Sequence, residues 1–260
     1  MQASGSFRPR LAAVSYLNTV PLVWGMVAGP QQGAVELEFH LPNACAAAVK
    51  KRRVNAGLIP VIEVARQGLP VLADVGIGCR GPVKSILLAA KVAPSQIRRL
   101  AADTSSRTSV MLSRVILKHR YQAEPELTAM RPDLDAMLAR ADAALIIGDP
   151  ALALLLAGRP MPPYVLDLGE EWWRLTGLPM VFAVWAGHTA LPADLFHESY
   201  HFGAAHLEDY LLPEAQRRGL PEALAREYLT RAIHYEIGPA ERRGMEEYWR
   251  LAAIMEEVAA

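Results

Sequence analysis

Four groups of polar residues stand just where apolar runs of the chain end. The first is Ser15, Tyr16, Asn18 and Thr19 around Leu17. The second spans 78–85 ("GCRGPVKS"), the third 103–109 ("DTSSRTS"), and the fourth is Gly148, Asp149 and Pro150. The third carries five hydroxyl residues (Thr104, Ser105, Ser106, Thr108 and Ser109) and one arginine, Arg107, at an expected strand-to-helix junction. The amide groups that open a helix, with the helix dipole, favour an anion. Hydroxyls add donors there without burying a counter-charge. A helix cap needs one hydroxyl, and here several come in succession, so ligand contact outweighs capping alone.

The other groups fit the same chemistry less strongly. Asn18 can donate and accept at once, and Tyr16 offers a ring edge and a hydroxyl; a simple turn is an equal reading. The glycines and proline of the second group suit a β-turn, with Ser85 and Lys84 as its weaker candidate contacts and a solvated surface position as an equal reading of Lys84. Asp149 precedes Pro150 and a helix, so helix capping is its default role. Glu170 and Glu171 are adjacent and point about 100° apart on a helix, which suits a helix start rather than a carboxylate pair. His197 and His201 are four apart but lack an HExxH pattern. The sequence has no P-loop, no GxGxxG after a strand, no GxSxG elbow and no CxxC, which disfavours nucleotide cofactors, serine-hydrolase chemistry and redox dithiols.

These groups must be positioned by short β-like runs, expected at 11–14, 35–41, 56–59, 71–75, 85–90, 100–102, 126–130, 143–147, 164–166 and 181–185. Many are continuously apolar, as in strands covered on both faces. Helices are expected near Pro21, after Asn43 as a cap, near Ser106, and after Asp149. The rhythm is that of an α/β protein with mostly parallel strands. From Pro192 onward the pattern is helical almost throughout. No flexible linker divides the 260 residues, so a chain passing twice between lobes would hide its boundary in strands; "SILLAAKV" and "MVFAVWAG" are the candidate crossings. Lys+Arg and Asp+Glu both number 27. A neutral chain has no long-range field for nucleic acid or an anionic membrane. Cys45 and Cys79 read as a reduced pair in preference to a disulfide. The polar N-terminal segment lacks the core of a signal peptide, and no apolar run is long enough to span a bilayer. The expectation is a cytoplasmic protein.

The strings "AVSYLNTVPL", "AGLIPVIE", "DVGIGCRGPVKSILL", "DTSSRTSVML", "PDLDAMLARADAALIIGDPAL" and "DLGEEWWRLTGLPMVFAVWA" together resemble the motifs of the menaquinone-biosynthesis family of the futalosine route, in its dehydratase branch. The "SYLN" string separates it from the sister naphthoate-forming branch. The resemblance implies a fold similar to type II periplasmic binding proteins: two α/β lobes with mostly parallel mixed sheets, two inter-lobe crossings and a helical C-terminus. It places lobe 1 at 8–88 plus 183–260, lobe 2 at 89–182, and a substrate cleft between them. It implies loss of water from chorismate, a small dianion, to give 3-[(1-carboxyvinyl)oxy]benzoate, with no cofactor and no metal. The expected catalytic residues are Asn18 and Asp149. The expected substrate contacts are Ser15, Tyr16, Ser85, Thr104, Ser105, Ser106 and Thr108, with Ile147 and Gly148. The proton acceptor is either the substrate's own enolpyruvyl carboxylate or Asp149. No nucleic-acid or membrane partner is expected, and an assembly, if one forms, is expected to be a homodimer. The alternatives are the sister enzyme and a cytoplasmic organic-acid binder without catalysis.

Overall fold

The computed structural model describes residues 8–156, 158 and 160–257. The chain begins with β1 (Arg10–Val14), α1 (Val20–Ala28), β2 (Glu36–His40), α2 (Pro42–Lys50), β3 (Ala56–Pro60), α3 (Val61–Gln67) and β4 (Val71–Cys79). It continues with β5 (Ile86–Ala90), β6 (Arg99–Asp103), α4 (Arg107–Tyr121), β7 (Glu126–Met130), α5 (Leu134–Arg140), β8 (Ala143–Ile147), α6 (Asp149–Leu154) and β9 (Tyr164–Asp167). After α7 (Leu168–Thr176) and β10 (Met180–Gly187) come α8 (Ala193–Ala205), α9 (Leu207–Arg217), α10 (Glu222–Glu227), a π-turn (Tyr228–Ala232), β11 (His234–Glu236) and α11 (Pro239–Glu257).

Two sheets result, ordered β11-β4-β10-β3-β1-β2 and β7-β6-β8-β5-β9. The strands that read as unbroken apolar runs, β3, β5, β8 and β10, are buried along their whole length because helices cover both sheet faces. The edge strands β2 and β7 carry outward-facing residues, including Glu36 and Glu126, which discourages edge-to-edge pairing.

The chain leaves the first sheet after β4 and enters the second at β5; it leaves the second after β9 and re-enters the first at β10. "SILLAAKV" and "MVFAVWAG" are therefore the first strands after each crossing, and the changeovers lie slightly upstream of 88/89 and 182/183. The returning strands run against their neighbours. β10 is antiparallel to β3 and β4, and β5 to β8 and β9. Among the described residues four strand pairings are parallel and five antiparallel, so the sheets are more evenly mixed than the apolar runs predict.

One carboxylate fastens both crossings. Asp167 caps α7 by accepting from the Gly169 and Glu170 amides at 2.9 and 3.2 Å, and it also accepts from the Val83 and Lys84 amides at 2.9 and 2.6 Å. Lys84 sits there with φ of 64°, a conformation that costs a side-chain-bearing residue about 1 kcal/mol and that these two bonds hold in place. The C-terminal helices pack on the first sheet, and α11 also reaches α4 and α7 of the second lobe. Trp185 of β10 meets Phe196 of α8 at 4.8 Å between ring centroids, and Trp172 of α7 meets Tyr248 of α11 edge-on at 6.1 Å.

Candidate active site

A cleft lies where the carboxyl ends of β1, β2 and β3 face those of β6 and β8, the usual position for ligands in open α/β sheets. Tyr16 and Asn18 come to it from the first sheet. Ser85, Ser106, Ser109 and Gly148 come from the second. Apolar residues close the rest, including Ile77, Val83, Ile86 and Phe182. Among the described residues, no lysine, arginine, histidine or carboxylate lines it.

Local folding explains each polar group. Ser106 is the N-cap of α4, its Oγ accepting from the Ser109 amide at 3.4 Å and lying 3.1 Å from the Ser109 Oγ. The first-turn amides of α4 have no intrahelical acceptor, so this end of the cleft is rich in donors. Tyr16 lies against Gly148, whose φ is 66°; a Cβ there would come within 2.6 Å of the Tyr16 ring. Glycine is thus required both by backbone and by contact. The Tyr16 hydroxyl lies 3.2 Å from the Ser105 Oγ, and burial pushes it up to about 12, so it acts as a neutral hydroxyl. Asn18 donates from Nδ2 to the Tyr228 hydroxyl at 2.9 Å, and Tyr228 donates to the Ser85 Oγ at 2.8 Å.

The expected residues divide into several groups. Tyr16, Asn18, Ser85, Ser106, Ile147 and Gly148 share the cleft. Ser105 stands behind it, bonded to Tyr16 and, through its amide, to Asp103 at 2.9 Å. Thr108 does not line it: its buried Oγ1 accepts from the Ile62 amide at 3.3 Å and its carbonyl accepts from Tyr248, so it joins the lobes. Thr104 is exposed and lines a separate hollow beside Arg66, Arg107 and Arg114. Ser15 faces another hollow beside Trp24 and Phe39.

Asp149 also departs from expectation. It opens α6 but makes no side-chain cap, and Gly148 takes the cap position. Its Oδ1 instead accepts from the Leu17 amide at 3.0 Å, and its Oδ2 from Arg218 Nε at 2.7 Å. Burial pushes this carboxyl up, against the pull of the Leu17 amide and the Arg218 charge. Similarly, Asn43 is not a cap: Leu41 holds that place in α2, and the Asn43 amide donates to the Ser105 carbonyl at 2.9 Å.

Sequence reasoning passed over Ser109 as a contact, although it lies in the third polar group, and Tyr228, whose helical surroundings carry no sign of a polar task. Of the apolar lining residues only Ile147 was expected, from the family resemblance; the others have the character of core residues and gave no signal. Among the described residues no three His, Cys, Asp or Glu side chains are grouped to hold a metal ion. Cys45 and Cys79 are buried free thiols, and burial pushes the Cys45 thiol up to about 12.

Comparison with known proteins agrees with this architecture. The chain is 30% identical over 201 residues to the chorismate dehydratase of Thermus thermophilus, covering 70% of this chain and 73% of that protein. It is 26% identical over 242 residues to the chorismate dehydratase of Campylobacter jejuni, covering 90% and 93%. A crystal structure of a protein from Archaeoglobus fulgidus superposes with a TM-score of 0.77 at 16% identity, over 97% of this chain and 99% of that one. The periplasmic aliphatic sulphonate binding protein of Escherichia coli does so at 0.63 and 15%, over 97% and 87%; both show the fold, which is that of periplasmic binding proteins. A family model described as menaquinone biosynthesis matches residues 9–254, and the chain belongs to that family.

Proposed function

We propose that the chain is a chorismate dehydratase, removing water from chorismate to give 3-[(1-carboxyvinyl)oxy]benzoate in the futalosine route to menaquinone. The observation that carries the reading is a cleft walled by hydroxyls, an amide and a helix start, with no cationic side chain among the described residues. Chorismate is a dianion with an allylic hydroxyl. Its elimination breaks one ring C–H and the C–OH bond and leaves an aromatic ring and water, so the step runs downhill. The protein has to hold the two carboxylates and the ring in the geometry of elimination rather than of rearrangement. Uncharged donors and helix-start amides do this while stabilising developing charge.

The proton acceptor fits the substrate better than the chain. Asp149, the protein alternative, spends both oxygens on Leu17 and Arg218 and lies outside the cleft lining. In this reading the enolpyruvyl carboxylate takes the ring proton, which leaves with the hydroxyl as water. The Ser106–Ser109 pair at the start of α4 holds a carboxylate; Asn18 and Ser85 hold the opposite side. The proposal includes a cytoplasmic location and no cofactor.

Incubation of the purified protein with chorismate, followed by ultraviolet absorbance and product mass, tests it. A product lighter by one water supports the dehydratase. Thermal stabilisation by chorismate without turnover supports a binder, and no response of either kind overturns the reading.

A further inference from the structure

Tyr228 is fully buried and stands far in sequence from every polar group of the cleft. It opens the π-turn Tyr228–Ala232, a distortion that often marks functional positions in helices. Its hydroxyl accepts from Asn18 Nδ2 at 2.9 Å and donates to the Ser85 Oγ at 2.8 Å. These two bonds use up one side of each partner. Asn18 keeps its Oδ1, a buried atom with no partner among the described residues, on a side chain that lines the cleft. Ser85 keeps its own O–H, because its oxygen is the acceptor for Tyr228.

We infer that Tyr228 is a positioning residue that sets the polarity of the cleft, so that Asn18 presents an acceptor carbonyl and Ser85 a donor hydroxyl to the bound substrate. An acceptor suits the substrate's hydroxyl, and a donor suits a carboxylate. The inference rests on the dehydratase reading for the identity of the substrate. Phenylalanine at 228 keeps the ring and its packing but removes the relay, freeing the Asn18 amide to turn over and the Ser85 hydroxyl to rotate.

The test has one arm that needs no turnover. The chain has three asparagines, Asn18, Asn43 and Asn55, so asparagine-selective ¹⁵N labelling yields three side-chain amide signals. Asn18 is buried while Asn43 and Asn55 are partly exposed. In the wild type the Asn18 side-chain amide protons exchange with solvent more slowly than the other two, and in Tyr228→Phe that protection and the chemical shift are lost. An Asn18 amide that exchanges as fast as the others in the wild type, or whose shift ignores Tyr228→Phe, overturns the inference.

The second arm is kinetic. Tyr228→Phe lowers kcat/KM for chorismate by roughly 10- to 100-fold, mainly in kcat. In a Ser85→Ala background the same change costs less than about threefold, because its partner is gone. Equal losses in both backgrounds overturn the link to Ser85. Tyr235→Phe is the control: its hydroxyl is buried with no partner among the described residues, and its removal leaves kcat/KM within about twofold. A wild type inert towards chorismate defeats the substrate reading, while the amide signals still decide for or against Tyr228.

Discussion

Asp149, the candidate base on the protein side, lies outside the cleft lining and is held by two groups that give it another task. The Leu17 amide and Arg218 take one oxygen each, which ties the start of α6 in one lobe to the loop after β1 and the end of α9 in the other. Asp149→Asn keeps an oxygen for Leu17 and loses the charge that faces Arg218. Glu214 still accepts from the Arg218 guanidinium. The variant is therefore expected to lose about 1–3 kcal/mol of stability and less than about tenfold in kcat, a rate loss that geometry alone supplies. Denaturant titration and steady-state kinetics on the same preparation check both numbers. A fall of several orders in kcat with little loss of stability would restore Asp149 as the base and remove the substrate-assisted step. The same reasoning protects Gly148: an alanine there meets the Tyr16 ring and would push it across the cleft that both residues line.

At the scale of elements, α4 carries two duties at one end. Ser106 caps 15 residues of helix and lines the cleft. Two substitutions separate these. Ser106→Ala loses the cap, costing about 1 kcal/mol, whereas Ser106→Gly costs only a few tenths because glycine tolerates the cap conformation. Both remove the hydroxyl that lines the cleft, so on the proposed reading both raise KM to a similar degree. A normal KM in both variants would reduce Ser106 to a cap and return the third polar group to its structural reading. The elements themselves were largely legible. Ten strands announced themselves as apolar or alternating runs, since burial on one face or two leaves that mark. β11 did not, because three residues between helices have no period, and it exists only through pairing with β4. The run of hydroxyls pointed to Ser106 in the polar half of the cleft, but Thr104, Ser105 and Thr108 of the same run do not line it. The apolar half was not legible, because Ile77 or Phe182 in a cleft wall looks the same as in a core. Nor could Asp149 be read correctly, since the arginine that claims it lies 69 residues away.

For the molecule as a whole, the cleft exists because the lobes are bonded to each other around it. The Ser105 carbonyl accepts from the Asn43 amide, Thr108 accepts from the Ile62 amide, and Glu63 of α3 binds Arg107 of α4 at 2.9 Å. Glu63 is buried, and burial alone would raise its carboxyl. Hydrogen bonds from Arg107, Arg66 and Gln67 more than reverse this and hold it below its ordinary value of 4.5. A lowered carboxyl binds its proton less readily in the folded chain than in the unfolded one. Its contribution is therefore complete above about pH 4.5 and is lost as pH falls through the lower, folded value. Glu214 and Glu241, also lowered, act with the same sign; Asp149 and Asp167, both raised by burial, act with the opposite one and flatten the total. Glu63→Gln isolates one contributor. At neutral pH it is expected to lower stability by about 2 kcal/mol, several degrees in Tm. The gap to the wild type closes as the pH drops below about 4.5, because the wild-type residue then becomes as uncharged as its replacement. Melting curves of both proteins between about pH 7 and pH 3 measure that gap directly. A gap that stays constant over the range would mean that the Glu63 charge does not join the lobes and that the packing around Thr108 and Ser105 holds the cleft together by itself.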